Sequence, residues 1–244
     1  MAGVVVPPEV LTRNRLLATL PTSELAVLAD DFELVSLGLK EFVYREDEPI
    51  EHVVFPTSGV LSLISQMDDG RGVEVATIGN EGMVGLPVFL QATTTSAHRA
   101  FSQIPGEALR ISAGSFSAFI AGAHDGALHR ILHRYTQALM SMIARAVACN
   151  ALHSVGQRAS RWLLITHDRI DGDEFLLTQE FLGQMLGVTR PTANETARQL
   201  QDAGAIDYTR GRITILDRPE LEARSCECYA VIRNEFDRLV SNAD

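Results

Sequence analysis

Lysine is almost missing from this chain: Lys40 is its sole instance among 21 basic residues in 244, so arginine carries nearly all the positive charge, which reads as coding bias rather than mechanism. Cysteine is scarce and late. Cys149, Cys226 and Cys228 make neither a disulfide framework nor a four-ligand metal site. Long apolar runs are also missing. The start, MAGVVVPPEV, is too short and has no basic flank for a secretory signal, and no stretch approaches a membrane span, so a cytoplasmic protein without membrane contact is expected. No nucleophile elbow, phosphate-cradling Walker loop or dinucleotide fingerprint occurs, which argues against an enzyme. The formal net charge of −10 excludes a protein that coats nucleic acid unselectively.

What is there begins with residues 178–200, TQEFLGQMLGVTRPTANETARQL. Phe181, Leu182, Met185 and Leu186 recur at helical spacing, and Gly187 supplies a turn where positive φ is cheap only without a Cβ. Thr189 then N-caps a second helix that turns Ala193 and Ala197 inward. Arg190, Thr192, Asn194, Glu195 and Arg198 are left to face a major groove, with Gln179 at the head of the first helix. Next comes IDYTRGRITIL, which alternates around Arg-Gly as a hairpin does, so the outline is a winged helix with Arg210 and Arg212 at or beside the wing tip for phosphate contact. Acids and arginines balance between Thr178 and Leu216, so the acidic excess lies elsewhere. Double-stranded DNA is the expected partner. A winged helix used for protein contacts and a metal-dependent cupin-like enzyme are the competing readings, the second weakened because the strand region offers only His52 and His98.

Upstream, short β-branched segments separated by Gly, Pro, Asp and Asn run from Phe32 to Ile111 and predict an antiparallel β-roll of jelly-roll type. From Ala127 to about His153, Leu128, Leu132, Tyr135, Leu139, Met142, Ala146 and Cys149 step by four and three, a seam that predicts a homodimer helix; the alternative is a helix lying on its own domain. The expected class is therefore α+β in three parts: a sensor β-roll (1–126), a dimerisation helix and hinge (127–155), and a winged helix with a helical C-terminal extension (156–244). In that extension Leu221, Tyr229, Ile232, Phe236 and Leu239 form a stripe expected to pack on the DNA-binding domain.

This order resembles the CRP/FNR family of bacterial transcription regulators over about residues 12–216, carried by HVVFPTSGVLSLIS (52–65), EGMVGLPVFLQATTTSAHRAF (81–101) and the 178–200 segment. The resemblance implies a cyclic-nucleotide-binding-like domain, a two-fold operator and RNA polymerase as a partner. In members that bind cyclic AMP, a glycine followed by a glutamate serves the ribose, and an arginine followed by a small residue serves the phosphate. Here those places fall on Gly85, Leu86, Arg99 and Ala100. Leucine cannot accept a hydrogen bond, and the central helix has no paired hydroxyls near Ile143 and Ala144, so cyclic AMP in the usual mode is not expected. Arg99 is left as a candidate for a small anionic or nucleotide effector. Oxygen-sensing members carry an N-terminal cysteine group for an iron–sulfur cluster, and no cysteine here precedes Cys149, so that cofactor is not expected. His124, His129 and His133, with Asp125, have metal-ligand spacing but need a ligand from the β domain. Cys226 and Cys228, two apart, do not share a helix face and are not expected to form a metal pair.

Overall fold

In a computed structural model, residues 6–91, 94–122 and 126–241 are described. The N-terminal part opens with α1 (Pro8–Leu11), a 3-10 turn (Leu17–Thr19) and α2 (Thr22–Ala29). Then follow β1 (Glu33–Leu37), β2 (Phe42–Tyr44), β3 (His52–Pro56), β4 (Val60–Gln66), β5 (Gly72–Ile78), α3 (Leu86–Leu90), β6 (Arg99–Ile104), β7 (Gly106–Ser112) and α4 (Ala113–Gly122). Their strands form two antiparallel sheets, β1-β7-β3 and β2-β6-β4-β5, packed as the β-roll that the alternating segments predict. The helices α3 and α4 add to the roll and have no counterpart among the elements read from the sequence.

The central helix α5 (Ala127–Leu152) starts where the Glu24 carboxylate accepts from the backbone N–H groups of Ala127 and Leu128 at 2.8 and 3.0 Å, an anion placed at the positive end of the helix dipole. It ends at His153. Ser154 then caps α6 (Val155–His167) in a capping box with Gln157, so the chain changes direction across two residues. Beyond lie β8 (Glu174–Leu176), α7 (Gln179–Leu186), α8 (Arg190–Asp202), β9 (Ile206–Thr209), β10 (Arg212–Ile215), α9 (Arg218–Arg224) and α10 (Cys228–Ser241). The strands form a third small sheet, β8-β10-β9.

The central helix departs from expectation. Leu128, Leu132, Tyr135, Leu139, Met142 and Cys149 are buried within the chain, and Ala146 is half-buried. The face read as a seam between subunits is thus covered by the protein's own roll and tail. Tyr135 donates to the Met83 carbonyl at 2.8 Å and packs its ring 6.3 Å from that of Phe236. A four-three pattern states that one face is apolar; it does not state what covers it.

The tail is corrected in part. Leu221, Tyr229, Ile232, Phe236 and Leu239 are all buried, and α9 lies on α6 inside the DNA-binding part. The helix α10, however, reaches back and packs mainly along α5. Among the described residues no helix is long and apolar enough to cross a membrane.

Candidate nucleic-acid interface and sensor cavity

The helix pair α7–α8 is built for close crossing. Gly187 holds φ +63° at the turn, and a Cβ placed on Gly183 would stand 3.0 Å from the Val188 carbonyl oxygen, so a larger residue would push the helices apart. Thr178 caps α7 through the Phe181 N–H, and the Thr189 hydroxyl caps α8 through the Thr192 N–H. Ala193, Thr196, Ala197 and Leu200 are buried, which rotates Thr192, Asn194, Glu195 and Arg198 into solvent together with Thr189 and Arg190 at the helix start.

The polar groups on this face are differently occupied. Gln179 donates to Asn194 Oδ1 at 2.6 Å, and Arg198 pairs with Glu195 at 2.9 Å. Arg212 pairs with Glu174 on the neighbouring strand, which makes it a strand-bracing residue in this structure. Arg210, at φ +53° with Gly211 at +77°, forms the tip of the β9–β10 wing. Neither Arg190 nor Arg210 has an ion-pair partner among the described residues, and both line one groove with Lys40, Gln179, Glu180 and Tyr208. Lys40 comes from the β1–β2 turn and sets its ammonium 5.9 Å from the Phe181 ring. The one lysine therefore joins two unpaired arginines, a conjunction no local sequence signal announces.

A second seam joins the winged helix to the outer face of β2-β6-β4-β5. Phe181 meets Phe101 with ring centroids 6.0 Å apart, and Trp162 Nε1 donates to Glu74 at 2.7 Å. Arg169, just past α6, reaches the buried Glu81 at 2.6 Å and Thr77 at 2.9 Å. Burial alone would raise the Glu81 carboxyl, but the guanidinium overrides it and holds the group below its ordinary value.

The candidate effector residues do not converge. Cross-strand pairing places Ala100 opposite Leu63 and Arg99 opposite Ile64, so their side chains leave β6 on opposite faces. Ala100 and Leu63 face inward, toward a cavity of about 170 Å³ whose lining includes Leu86, Met83, Ser96, His98, Leu139 and Ile143. Arg99 faces the outer sheet surface near Gly72. Strand parity was available in the sequence, but the point at which β6 begins was not. The cavity is mainly apolar, and Leu139 and Ile143 of α5 form part of its wall.

Of the histidines, His129 and His133 stand with ring centroids 4.6 Å apart and both contact Phe89, an aromatic cluster; His124 and Asp125 lie outside the described residues. The cysteines contradict expectation. Cys226 precedes α10 and Cys228 is its first residue, so the helix-face argument does not apply, and both approach Cys149 in a small buried cluster of their own. Cys149 therefore faces the tail and not a symmetry mate.

Comparison with known proteins agrees with this architecture. Residues 34–122 match the cyclic nucleotide-binding domain, and residues 157–224 match the Crp-like helix-turn-helix domain; together they span more than half of the chain. The chain is 24% identical over 231 residues to a CRP-like cAMP-activated global transcriptional regulator of Mycobacterium tuberculosis, covering 89% of this chain and 99% of the relative. Among solved structures, FixK2 from Bradyrhizobium japonicum superimposes with a TM-score of 0.66 at 20% identity, over 80% of this chain and 98% of that one. The c-di-GMP responsive regulator CLP of Xanthomonas campestris gives a TM-score of 0.63 at 17% identity, over 81% and 100%.

Proposed function

The chain belongs to the CRP/FNR family of transcription regulators, and from that premise we propose that it acts as a homodimer that reads a two-fold DNA operator with α8. The observation that carries this reading is the exposed row Arg190, Thr192, Asn194, Glu195 and Arg198 beside the unpaired Arg210 of the wing. Arg190 can donate two hydrogen bonds to guanine, Asn194 can pair with adenine once it leaves Gln179, and Glu195 can accept from cytosine, each worth about 1–3 kcal/mol of discrimination. Arg210 and Lys40 supply charge toward phosphates, which fixes register rather than sequence.

The dimer face is the other side of α5. His133, Gln137, Met140, Ala144, Val147 and Ala151 are exposed and step by four, three, four, three and four, with Met140 at 66% and Val147 at 67% exposure. Small residues at 144 and 151 allow close approach, and a second copy of the same helix supplies the matching stripe. A signal at the cavity behind Leu139 and Ile143 reaches this helix directly, and the helix leads into α6 and the reading head. Recruitment of RNA polymerase follows from the family and depends on where the operator lies.

The test is binding of the full chain to DNA fragments upstream of its own gene, measured by fluorescence anisotropy against an unrelated competitor. Arg190→Ala and Asn194→Ala are expected each to lower specific affinity about five- to 150-fold, the range that follows from the discrimination energies above, while non-specific affinity changes less. Unchanged specificity in both folded variants overturns the assignment of α8.

A further inference from the structure

At the joint between α5 and α6, four ligand-bearing side chains meet. Cys149 lies in the last turn of α5 and His153 caps that helix, while Cys226 stands just before the tail helix and Cys228 begins it; their ligand atoms all lie within 4.8 Å of one another. The Cys149 and Cys226 sulfurs are 3.5 Å apart, and Cys228 Sγ is 3.7 Å from His153 Nδ1. All three thiols are free and buried. We propose that this Cys3His group is a binding site for one zinc ion, which clamps the C-terminal helix to the end of the central helix.

Geometry supports one ion. With Zn–S near 2.3 Å and Zn–N near 2.0–2.1 Å, the edges of a tetrahedral site are about 3.5–3.8 Å; the two short separations already lie near that length, and the others, none above 4.8 Å, need to close by at most about 1 Å. So tight a gathering encloses a single cation and not a multi-iron cluster. Thiolate and imidazole donors favour zinc over the hard cations that prefer oxygen.

The imidazole is also oriented for the task. Its Nδ1 points to the sulfurs, and its Nε2 lies 3.3 Å from the Glu227 carboxylate, the outer partner that fixes a metal-bound histidine's tautomer. Four protein ligands leave no open position, so the ion holds structure and does no chemistry. What it holds is specific: it joins residues 149–153 to 226–228, next to the Ser154 cap at which the chain turns into α6. A cross-link over so long a loop removes much of the entropy that lets the tail leave.

The experiment measures zinc in the full chain, purified under reducing conditions, by mass spectrometry of the metal. One zinc per chain is expected, falling to background in Cys226→Ser and in Cys228→Ser. Glu227→Gln, which keeps all four ligands, is expected to weaken zinc about ten- to a hundred-fold. Because a serine variant can fail to fold, the wild-type chain is also stripped with chelator and titrated with cobalt, whose visible d–d bands report a tetrahedral thiolate site. A metal-free reduced chain that gives no such bands overturns the proposal. A Cys149–Cys226 disulfide in the native mass, or an iron–sulfur chromophore, overturns it equally.

Discussion

Trp162 of α6 donates its indole N–H to Glu74 of β5 at 2.7 Å, which ties the DNA-binding part to the roll through a carboxylate whose charge burial opposes. Glu74 as a whole residue is half-buried, yet its carboxylate is the enclosed part, held by Ser62 and Trp162 with Arg161 and Arg169 nearby. Burial pushes its pKa up from 4.5 to about 7. One hydroxyl proton on Ser62 cannot serve both Glu74 and Gln103, its neighbours at 2.7 and 2.6 Å. A protonated Glu74 that donates to Ser62 lets Ser62 donate to Gln103 Oε1, while Gln103 Nε2 has no partner among the described residues.

A pH dependence follows. An acid whose folded pKa is raised binds more protons in the folded state, so its contribution is complete below about pH 4.5 and is lost as pH rises through about 7. Docking of the two parts should loosen across that window by on the order of 1–3 kcal/mol. Glu74→Gln keeps the acceptor for Trp162 and a donor for Ser62 without a charge. It should be more stable than the natural chain at pH 8 and flatten the profile between pH 5 and 8, read by denaturant unfolding with Trp162 fluorescence. An unchanged profile would assign the dependence to other groups.

The central helix makes a two-sided prediction. Ala144→Glu on the exposed stripe should yield folded monomers by sedimentation, with specific DNA affinity lowered by orders of magnitude because one half-site is lost. Leu139→Glu, on the buried face, should instead destabilise the monomer by about 3–5 kcal/mol or prevent folding, since it buries a charge without a partner. If Leu139→Glu were folded and monomeric while Ala144→Glu remained dimeric, the two faces would have been assigned in reverse.

Cyclic AMP should neither raise the thermal midpoint nor be required for DNA binding. The family resemblance sets Leu86 where an acceptor for the ribose would stand, the cavity it lines is mainly apolar, and Arg99 leaves the strand on the other face. The Mycobacterium tuberculosis relative is described as cAMP-activated, so the two proteins are expected to differ in this pocket. Calorimetry that finds micromolar cyclic AMP bound to the roll would refute this.

Sequence alone determined what local rules control. Caps, a glycine turn and one-turn spacing specify α7 and α8, and period-two alternation specifies the strands from Glu33 to Ser112, because those signals act between residues a few positions apart. The outward row of α8 was legible for the same reason: once Ala193 and Ala197 go inward, the remaining faces follow from 3.6 residues per turn. Tertiary structure decided everything that depends on which surface covers which. The stripe Leu128 to Cys149 is apolar in sequence, but only packing by α10 and the roll shows that the chain itself covers it, which moves the free face to Met140, Ala144 and Val147. Arg99 needed the register of β6 against β4 before its direction was known. Cys149 and His153 are 73 or more residues from Cys226 in the chain, and their meeting depends on a tail that folds back along α5, an arrangement no short-range pattern encodes.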